Sequence, residues 1–355
     1  MEEVAGILCA LQVECVRHLH VVDVHVQLFC VYPEKAMSER PTMRAIQQTE
    51  WGSLDSMKLV DVPRPTLLPT EVLVRVKAVG VNPIDYHTAM SRGYMNALSL
   101  PHIPGWDIAG IVEEVGFGTN RFKVGDEVFG FPRFPRAAGG FAEYAAVPSR
   151  QVALKPPNIS FEGASAVALA GLTAWQMLVD VADVGPGSKV LVNGAAGGVG
   201  HLAVQIAKAR GAHVTAVARK EKHDFVRGLG ADRLIDYTTS VVTDEIRDAD
   251  VVIELAGGSA TIPMLKALRR DGLLISARKL PDISEIQAEA ATLGVRAASF
   301  VAEPDHSGLQ HLAALINRGA LKVEVSSVMP FEKAVEALER IPQGHAVGKT
   351  VLRIG

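Results

Sequence analysis

Cysteine is almost absent from this chain of 355 residues. The three that exist, Cys9, Cys15 and Cys30, all fall within residues 1–42. The body beyond them has no material for a disulfide framework or a cysteine-ligated metal site. That agrees with a reducing, cytoplasmic setting. A surplus of positive charge is missing as well, the formal net charge being −3. A general nucleic-acid binder needs a basic face to neutralise phosphates, so the composition argues against that class. Nor is there an uninterrupted apolar run of about 18 residues, and no membrane-spanning helix is expected. Internal repeats and low-complexity tracts are lacking too. What is present is globular material, 48% hydrophobic and 21% charged, in a chain long enough for two domains.

Residues 1–42 stand apart in texture. Short valine-rich runs are mixed with His18, His20 and His25 and end in Pro33 and Pro41. Glu2, Glu3 and the polar interruptions that follow spoil a signal-peptide reading. Cys9, Cys15 and the three histidines match no zinc spacing. The segment reads as an extension, or as sequence upstream of a natural start at Met43.

From Met43 to about Phe161 the chain reads as short strands and turns. Val72–Val79, Ile108–Gly116 and, after a turn, Val124–Gly130 are β-rich pieces separated by prolines and glycines, which predicts a largely β domain. Gly163 to Val181 is rich in alanine and leucine and reads as a helix. Apolar strands then alternate with helices: Lys189–Asn193, His213–Ala218, Arg233–Tyr237, Asp250–Leu255 and Gly272–Ser276. That alternation predicts a parallel sheet covered on both faces. The tail predicts helices at Leu309–Asn317 and Glu332–Glu339, a short strand at 323–325, and a closing strand from Lys349 to Ile354. The expected architecture is α/β: a β domain (43–163 and 299–355) split by an inserted doubly wound parallel-sheet domain (164–298).

Between the strand ending at Asn193 and the helix from His201 lies Gly194-Ala195-Ala196-Gly197-Gly198-Val199-Gly200. Glycines there let the backbone turn tightly and approach a pyrophosphate, while the helix N-terminus offers free N–H groups to the anion. Strand, turn, helix and second strand follow in the order a dinucleotide fingerprint demands. A second absence selects the cofactor. An NAD site usually ends the second strand in Asp or Glu, but this chain reads Ala218-Arg219-Lys220-Glu221-Lys222. Cations there suit a 2′-phosphate, so NADP(H) is expected; the bland reading is a solvated charged loop.

The β domain, Gly171-Leu172-Thr173-Ala174-Trp175, the glycine turn and the terminal Gly348-Lys349 together resemble the medium-chain dehydrogenase/reductase superfamily, most nearly its quinone oxidoreductase-like, enoyl-reductase-type branch. The resemblance covers nearly everything from Met43 to Gly355. It implies a GroES-like β domain, an inserted Rossmann domain and a cleft between them. Zinc-dependent members carry a cysteine where this chain has Asn82 and a histidine where it has Trp106. Neither residue replaces a thiolate or imidazole on zinc, so no metal is expected.

Without a metal, the fitting acceptors take hydride readily from a nicotinamide: quinones, or alkenes conjugated to a carbonyl. The resemblance places Asn82 and Asp85 near the substrate and Thr173 against the nicotinamide. Lys222 and Tyr237 border the adenosine phosphate with Arg219, and Phe300 and Lys349 fall where the tail returns to the cleft. Each has a plainer reading. Asp85 is equally a cap for a short helix beginning near Tyr86, Asn82 a turn residue before Pro83, Thr173 packing, and Tyr237 core at a strand end. Tyr94 is the candidate proton donor, though an exposed loop tyrosine is common. Pocket shape is expected to depend on the loops 86–99 and 131–140. Two competing functions stand beside the reductase: a cofactor-binding redox sensor or structural protein without robust turnover, and an alcohol dehydrogenase-like activity. The strand 295–300 is a candidate sheet edge, which needs covering and suggests a homodimer.

Overall fold

The computed structural model describes residues 41–277, 283–344 and 347–355. The expectations for residues 1–40, including the cysteine and histidine grouping, lie outside the described residues. Thr42–Gln48 (β1) and Met57–Pro63 (β2) pair as an antiparallel hairpin. Glu71–Val81 (β3) is the longest strand, and it is buried along most of its length because Val72, Val74, Val76, Val79 and Val81 are apolar. It pairs with Ile108–Val115 (β4) on one side and with Tyr144–Pro148 (β6) and the final strand on the other. Glu127–Gly130 (β5) and Val152–Leu154 (β7) extend the sheet beyond β4.

A second sheet begins after the helix α2 (Phe161–Trp175). Its strands are Lys189–Asn193 (β8), His213–Val217 (β9), Arg233–Ile235 (β10), Ala249–Glu254 (β11), Leu268–Ser276 (β12) and Arg296–Ser299 (β13). They are ordered β10-β9-β8-β11-β12-β13 and are all parallel. That is the doubly wound Rossmann order, with its switch point between β8 and β11, where such sheets bind ligands. The chain then returns to the first sheet. Val325–Pro330 (β14) runs parallel to Lys349–Arg353 (β15), and β15 lies antiparallel to β3. Strands β3 to β7 and the last two strands thus share one sheet, and the parallel sheet is inserted between them.

Helix α2 joins the two. Ser160 caps it by accepting the Gly163 N–H at 3.2 Å, so it starts before Gly163, and it ends in a π-helical stretch, Gln176–Val181. It is long and apolar enough to cross a membrane, yet 78% of its apolar window is buried in the protein's own core. The boundaries read at 163 and 299 fall inside α2 and on the last residue of β13.

Three local readings need correction. Arg233–Tyr237 was too long a strand: it stops at Ile235 because Asp236 turns the chain by accepting the Thr238 N–H at 3.0 Å. Tyr237 is accordingly 51% exposed, not core. The short strand at 323–325 is instead β14, starting at Val325; the Lys322 and Glu324 N–H groups go to the Gln205 and His201 side chains, and only the Glu324 carbonyl reaches β15, accepting the Lys349 N–H at 2.9 Å. Asp85 does help cap the short helix, accepting the Asn82 N–H at 2.8 Å from the third helical position, but the helix starts before Tyr86. That helix, α1, runs Pro83–Ala89, with Asn82 at its N-cap and Pro83 at the first helical position.

Candidate active site

The glycine turn leaves β8 and enters helix α3 (Gly200–Ala209). Gly194 has φ +85°, a left-handed conformation natural only to glycine. A Cβ on Gly200 would sit 2.1 Å from the Gly194 carbonyl oxygen, so no larger residue fits there. His201, fully buried, supports the turn. Its Nε2 accepts the Glu324 N–H at 3.2 Å, which leaves Nδ1 to donate to the Gly197 carbonyl at 2.9 Å. The ring is therefore neutral, and burial holds its pKa down at about 4. Ala195 is fully buried and packs into the core.

The turn floors a cavity of about 570 Å³ between the two sheets. Of the residues proposed from sequence, Gly194, Gly197, Gly198, Val199 and Gly200 line it on one side. Asn82, Tyr94, Thr173, Phe300 and Lys349 line it elsewhere. Thr173 donates its hydroxyl to the Leu169 carbonyl at 2.8 Å. The loops 86–99 and 131–140 do shape the wall: Tyr94 meets Phe134 edge-on, with ring centroids 4.8 Å apart, and Phe131 packs on Phe134 at 5.0 Å. These rings make an apolar, aromatic face. Sequence reasoning named the loops but not Phe131 or Phe134 as its substance.

Arg219, Lys222 and Tyr237 lie outside this cavity, at and beyond the end of β9. The Arg219 Nε donates to the Tyr237 hydroxyl at 2.8 Å. Two of the three residues proposed for a phosphate are thus in contact, and no carboxylate occupies the end of β9, where the chain reads Val217-Ala218-Arg219.

Behind the cavity sits a buried charged cluster. Asn82 donates from Nδ2 to Asp107 Oδ2 at 2.8 Å, and its Oδ1 accepts from the Lys349 ammonium. Lys349 also donates to the Val81 carbonyl at 3.2 Å, with Asp107 Oδ2 at an ion-pair distance of 3.8 Å. Asp107 Oδ1 accepts the Leu169 N–H of α2 at 2.7 Å. Asp85 does not line the cavity. It accepts the Asn82 backbone N–H at 2.8 Å through one oxygen, while its other oxygen, Oδ1, is buried without a partner. Burial raises the Asp85 carboxyl to about 7 and that of Asp107 to about 6, the latter partly offset by Lys349 and by hydrogen bonds. Burial likewise lowers the Lys349 amine, against the pull of Asp107 and Asp85. Asp107 had no role in the sequence reading. The Gly105-Trp106-Asp107 stretch was the signal, an acid standing where zinc relatives carry glutamate in Gly-His-Glu.

The residues at the two zinc-ligand positions do not fit a metal. The Asn82 amide is spent on Asp107 and Lys349. Trp106 is 2% exposed and its indole N–H donates to the Arg136 carbonyl at 2.8 Å. Among the described residues no group of three histidine, cysteine or acidic side chains is placed to hold a metal ion. The glycine cradle, by contrast, fits a pyrophosphate: a Cβ on Gly198 would come within 3.0 Å of Lys349 Cδ, so its absence keeps the floor open.

Known proteins agree with this arrangement. Residues 68–157 match the alcohol dehydrogenase GroES-like domain family, and residues 229–352 match a family described as zinc-binding dehydrogenase. A chloroplastic quinone-oxidoreductase homolog of Spinacia oleracea is 33% identical, over 87% of this chain and 98% of the relative. An NADPH-dependent alkenal/one oxidoreductase of Arabidopsis thaliana is 32% identical, over 87% of this chain and 79% of the relative. The solved quinone oxidoreductase from Coxiella burnetii superposes with a TM-score of 0.82 at 33% identity, covering 89% of this chain and all of that one.

Proposed function

The chain belongs to the quinone oxidoreductase-like branch of the medium-chain dehydrogenase/reductase superfamily, a nicotinamide-dependent family, and from that membership we propose that it is an NADPH-dependent, metal-free reductase of quinones or of alkenes conjugated to a carbonyl. The observation that carries this reading is a single cavity floored by the glycine turn and walled by Tyr94, Phe131 and Phe134. The names of the two relatives support the same acceptors.

Reduced nicotinamide supplies a hydride when bound. The chain's own residues do the rest. The turn's N–H groups and the start of α3 receive the pyrophosphate. Arg219, Lys222 and Tyr237 hold the 2′-phosphate. Thr173 and Phe300 flank the nicotinamide, and the aromatic wall excludes water and takes a planar acceptor on its face. Asn82, held from behind by Asp85, forms the far side of the pocket and Tyr94 closes it. Zinc independence rests on Asn82, whose amide is engaged by Asp107 and Lys349, and on Trp106, whose indole offers no lone pair to a metal.

A cytoplasmic homodimer without membrane attachment is part of the proposal. The support for the dimer is the edge position of β13, which among the described residues pairs only with β12, an edge a second copy would cover. A monomer by light scattering would remove it. For the activity, the test is oxidation of NADPH and of NADH with a 1,4-quinone and with an enone. Turnover with either acceptor and preference for NADPH is expected. NADPH bound but not oxidised across such acceptors would make the protein a cofactor-binding sensor instead.

A further inference from the structure

We propose that Lys349 is the proton donor to the acceptor's carbonyl oxygen, and that Asp107 is the positioning residue that aims it. The inference rests on the reductase reading above and gives Lys349 the acid role for which the sequence offered Tyr94.

Lys349 was placed by sequence among the cofactor residues, and its stem does lie against the glycine turn at Gly198. Its amine, however, reaches past the turn to the substrate side, to the Val81 carbonyl and the Asn82 amide. An ammonium carries three N–H groups. Two are taken by those acceptors. Asp107 stands at 3.8 Å, too far for a hydrogen bond but close enough to balance the charge. The third N–H has no hydrogen-bond acceptor among the described residues, and the residue that carries it lines the cavity.

Asn82 makes this orientation firm. Its NH2 end must face the Asp107 carboxylate and its oxygen must face the ammonium, so the amide cannot flip without losing both bonds. Asp107 is pinned in turn by the Leu169 N–H. Burial also makes the amine a readier acid. The other buried base near the turn, His201, has both ring nitrogens engaged, its one N–H held by the Gly197 carbonyl, and it does not line the cavity.

The step balances simply. The hydride leaves the ring C–H bond of the bound reduced nicotinamide, which is thereby oxidised by two electrons. It forms a C–H bond at the β-carbon of the enone, which then tautomerises to the ketone, or at a quinone ring carbon, which then loses that ring proton to its second oxygen and becomes the hydroquinone. The π pair moves onto the carbonyl oxygen. A Lys349 N–H bond breaks and its proton forms an O–H bond there, leaving a neutral amine. Water entering as product leaves restores the ammonium.

The experiment compares wild type with Lys349→Met and with the double variant Lys349→Met/Asp107→Asn, which leaves no lone buried charge to unfold the protein. Turnover is measured with a simple alkyl enone and with 1,4-benzoquinone, and NADPH affinity is read separately by fluorescence. An enone depends strongly on help at oxygen, so its turnover should fall about 100-fold. A quinone, gaining aromaticity, should fall by less than about tenfold, with NADPH affinity held within about threefold. Equal loss with both acceptors, affinity for NADPH falling in step with turnover, or no loss at all would overturn the assignment. A wild-type protein that binds NADPH but reduces neither acceptor would remove the functional reading, and this one with it.

Discussion

The glycine turn and the lysine cluster meet in one cavity, yet they are built in opposite ways. The turn is local: β8, the glycines, α3 and β9 all lie between Lys189 and Val217. Its chemistry comes from backbone that no side chain covers. The cluster is assembled from distant chain, with Lys349 and Asn82 lying 267 residues apart. Its chemistry comes from side chains removed from water, where a charge is expensive unless paired. A backbone cradle fails when something is added to it, whereas a buried ionic cluster fails when something is taken away.

That contrast gives the largest expected effect. Gly200→Val places two methyl groups where even a Cβ would lie 2.1 Å from the Gly194 oxygen. The turn must open or the strand must shift. NADPH affinity should fall beyond about 100-fold, since one misplaced pyrophosphate donor set forfeits several kcal/mol. Fluorescence titration checks it, with circular dichroism to show that the fold persists. A variant that binds NADPH normally would mean that the backbone N–H groups are not what holds the cofactor.

Next in size is the removal of a charge from the cluster. Asp107→Asn is nearly isosteric, but it leaves the Lys349 ammonium buried without its counter-charge. Breaking such a pair costs about 3–5 kcal/mol, so denaturant unfolding of the apo protein should shift by that order. If stability is unchanged, Lys349 is neutral in the folded state and the cluster is not ionic. The same variant should leave the turn itself intact, because no hydrogen bond of Asp107 reaches it.

The difference between the two regions also decides what the sequence made legible. The turn was readable because three periodicities follow one another without a gap: an apolar strand, a glycine spacing and an amphipathic helix. The doubly wound sheet followed from strand and helix alternation for the same reason. The split β domain was readable from the return of strand texture after residue 323, though where β14 begins was not. Lys322 and Glu324 are tied to Gln205 and His201 on α3, and such side-chain partners leave no period in the sequence. Asn82 and Lys349 were placed near the cleft by family resemblance, one as a missing zinc ligand on the substrate side and the other as part of a terminal motif, not by any local pattern. That both touch Asp107 depends on β15 lying antiparallel to β3, a pairing that no local pattern announces. Tyr237 misled because its strand residues look apolar enough to continue, whereas Asp236 ends the strand with a local turn.

A smaller effect sharpens the outer end of the turn. Arg219→Ala removes one charged donor at an exposed site where Tyr237 is its neighbour. Hydrogen bonds to charged groups are worth about 1.5–3 kcal/mol, and solvent screening takes the value to the lower end. NADPH affinity should weaken about tenfold while NADH affinity stays the same. Equal weakening of both would place Arg219 on the pyrophosphate or ribose instead of the 2′-phosphate, and the turn would then lose its claim to select the cofactor.

The gentlest probe is pH, and it separates the regions by sign. Asp85, in the cluster, rises from 3.8 to about 7 on burial. Between those values the folded state binds the proton and the unfolded state does not, so its contribution is complete at low pH and is lost as pH rises toward 7. Asp107, raised to about 6, acts in the same sense. His201, at the turn, falls from 6.5 to about 4. There the unfolded chain binds the proton, so stability is lost as pH falls from 6.5 toward 4. His102, also lowered to about 4 by burial, adds to that side. The apo protein should therefore lose stability in both directions, for different reasons in different places. Asp85→Asn should flatten the slope approaching pH 7 and leave the acid limb alone, and His201→Gln should do the reverse. Urea unfolding from pH 4 to 8 reads both limbs at once. If Asp85→Asn left the rise toward pH 7 as costly as before, the carboxyl would be ionising there at no expense, and the cluster would have to be wetter than its buried, unpartnered Oδ1 implies.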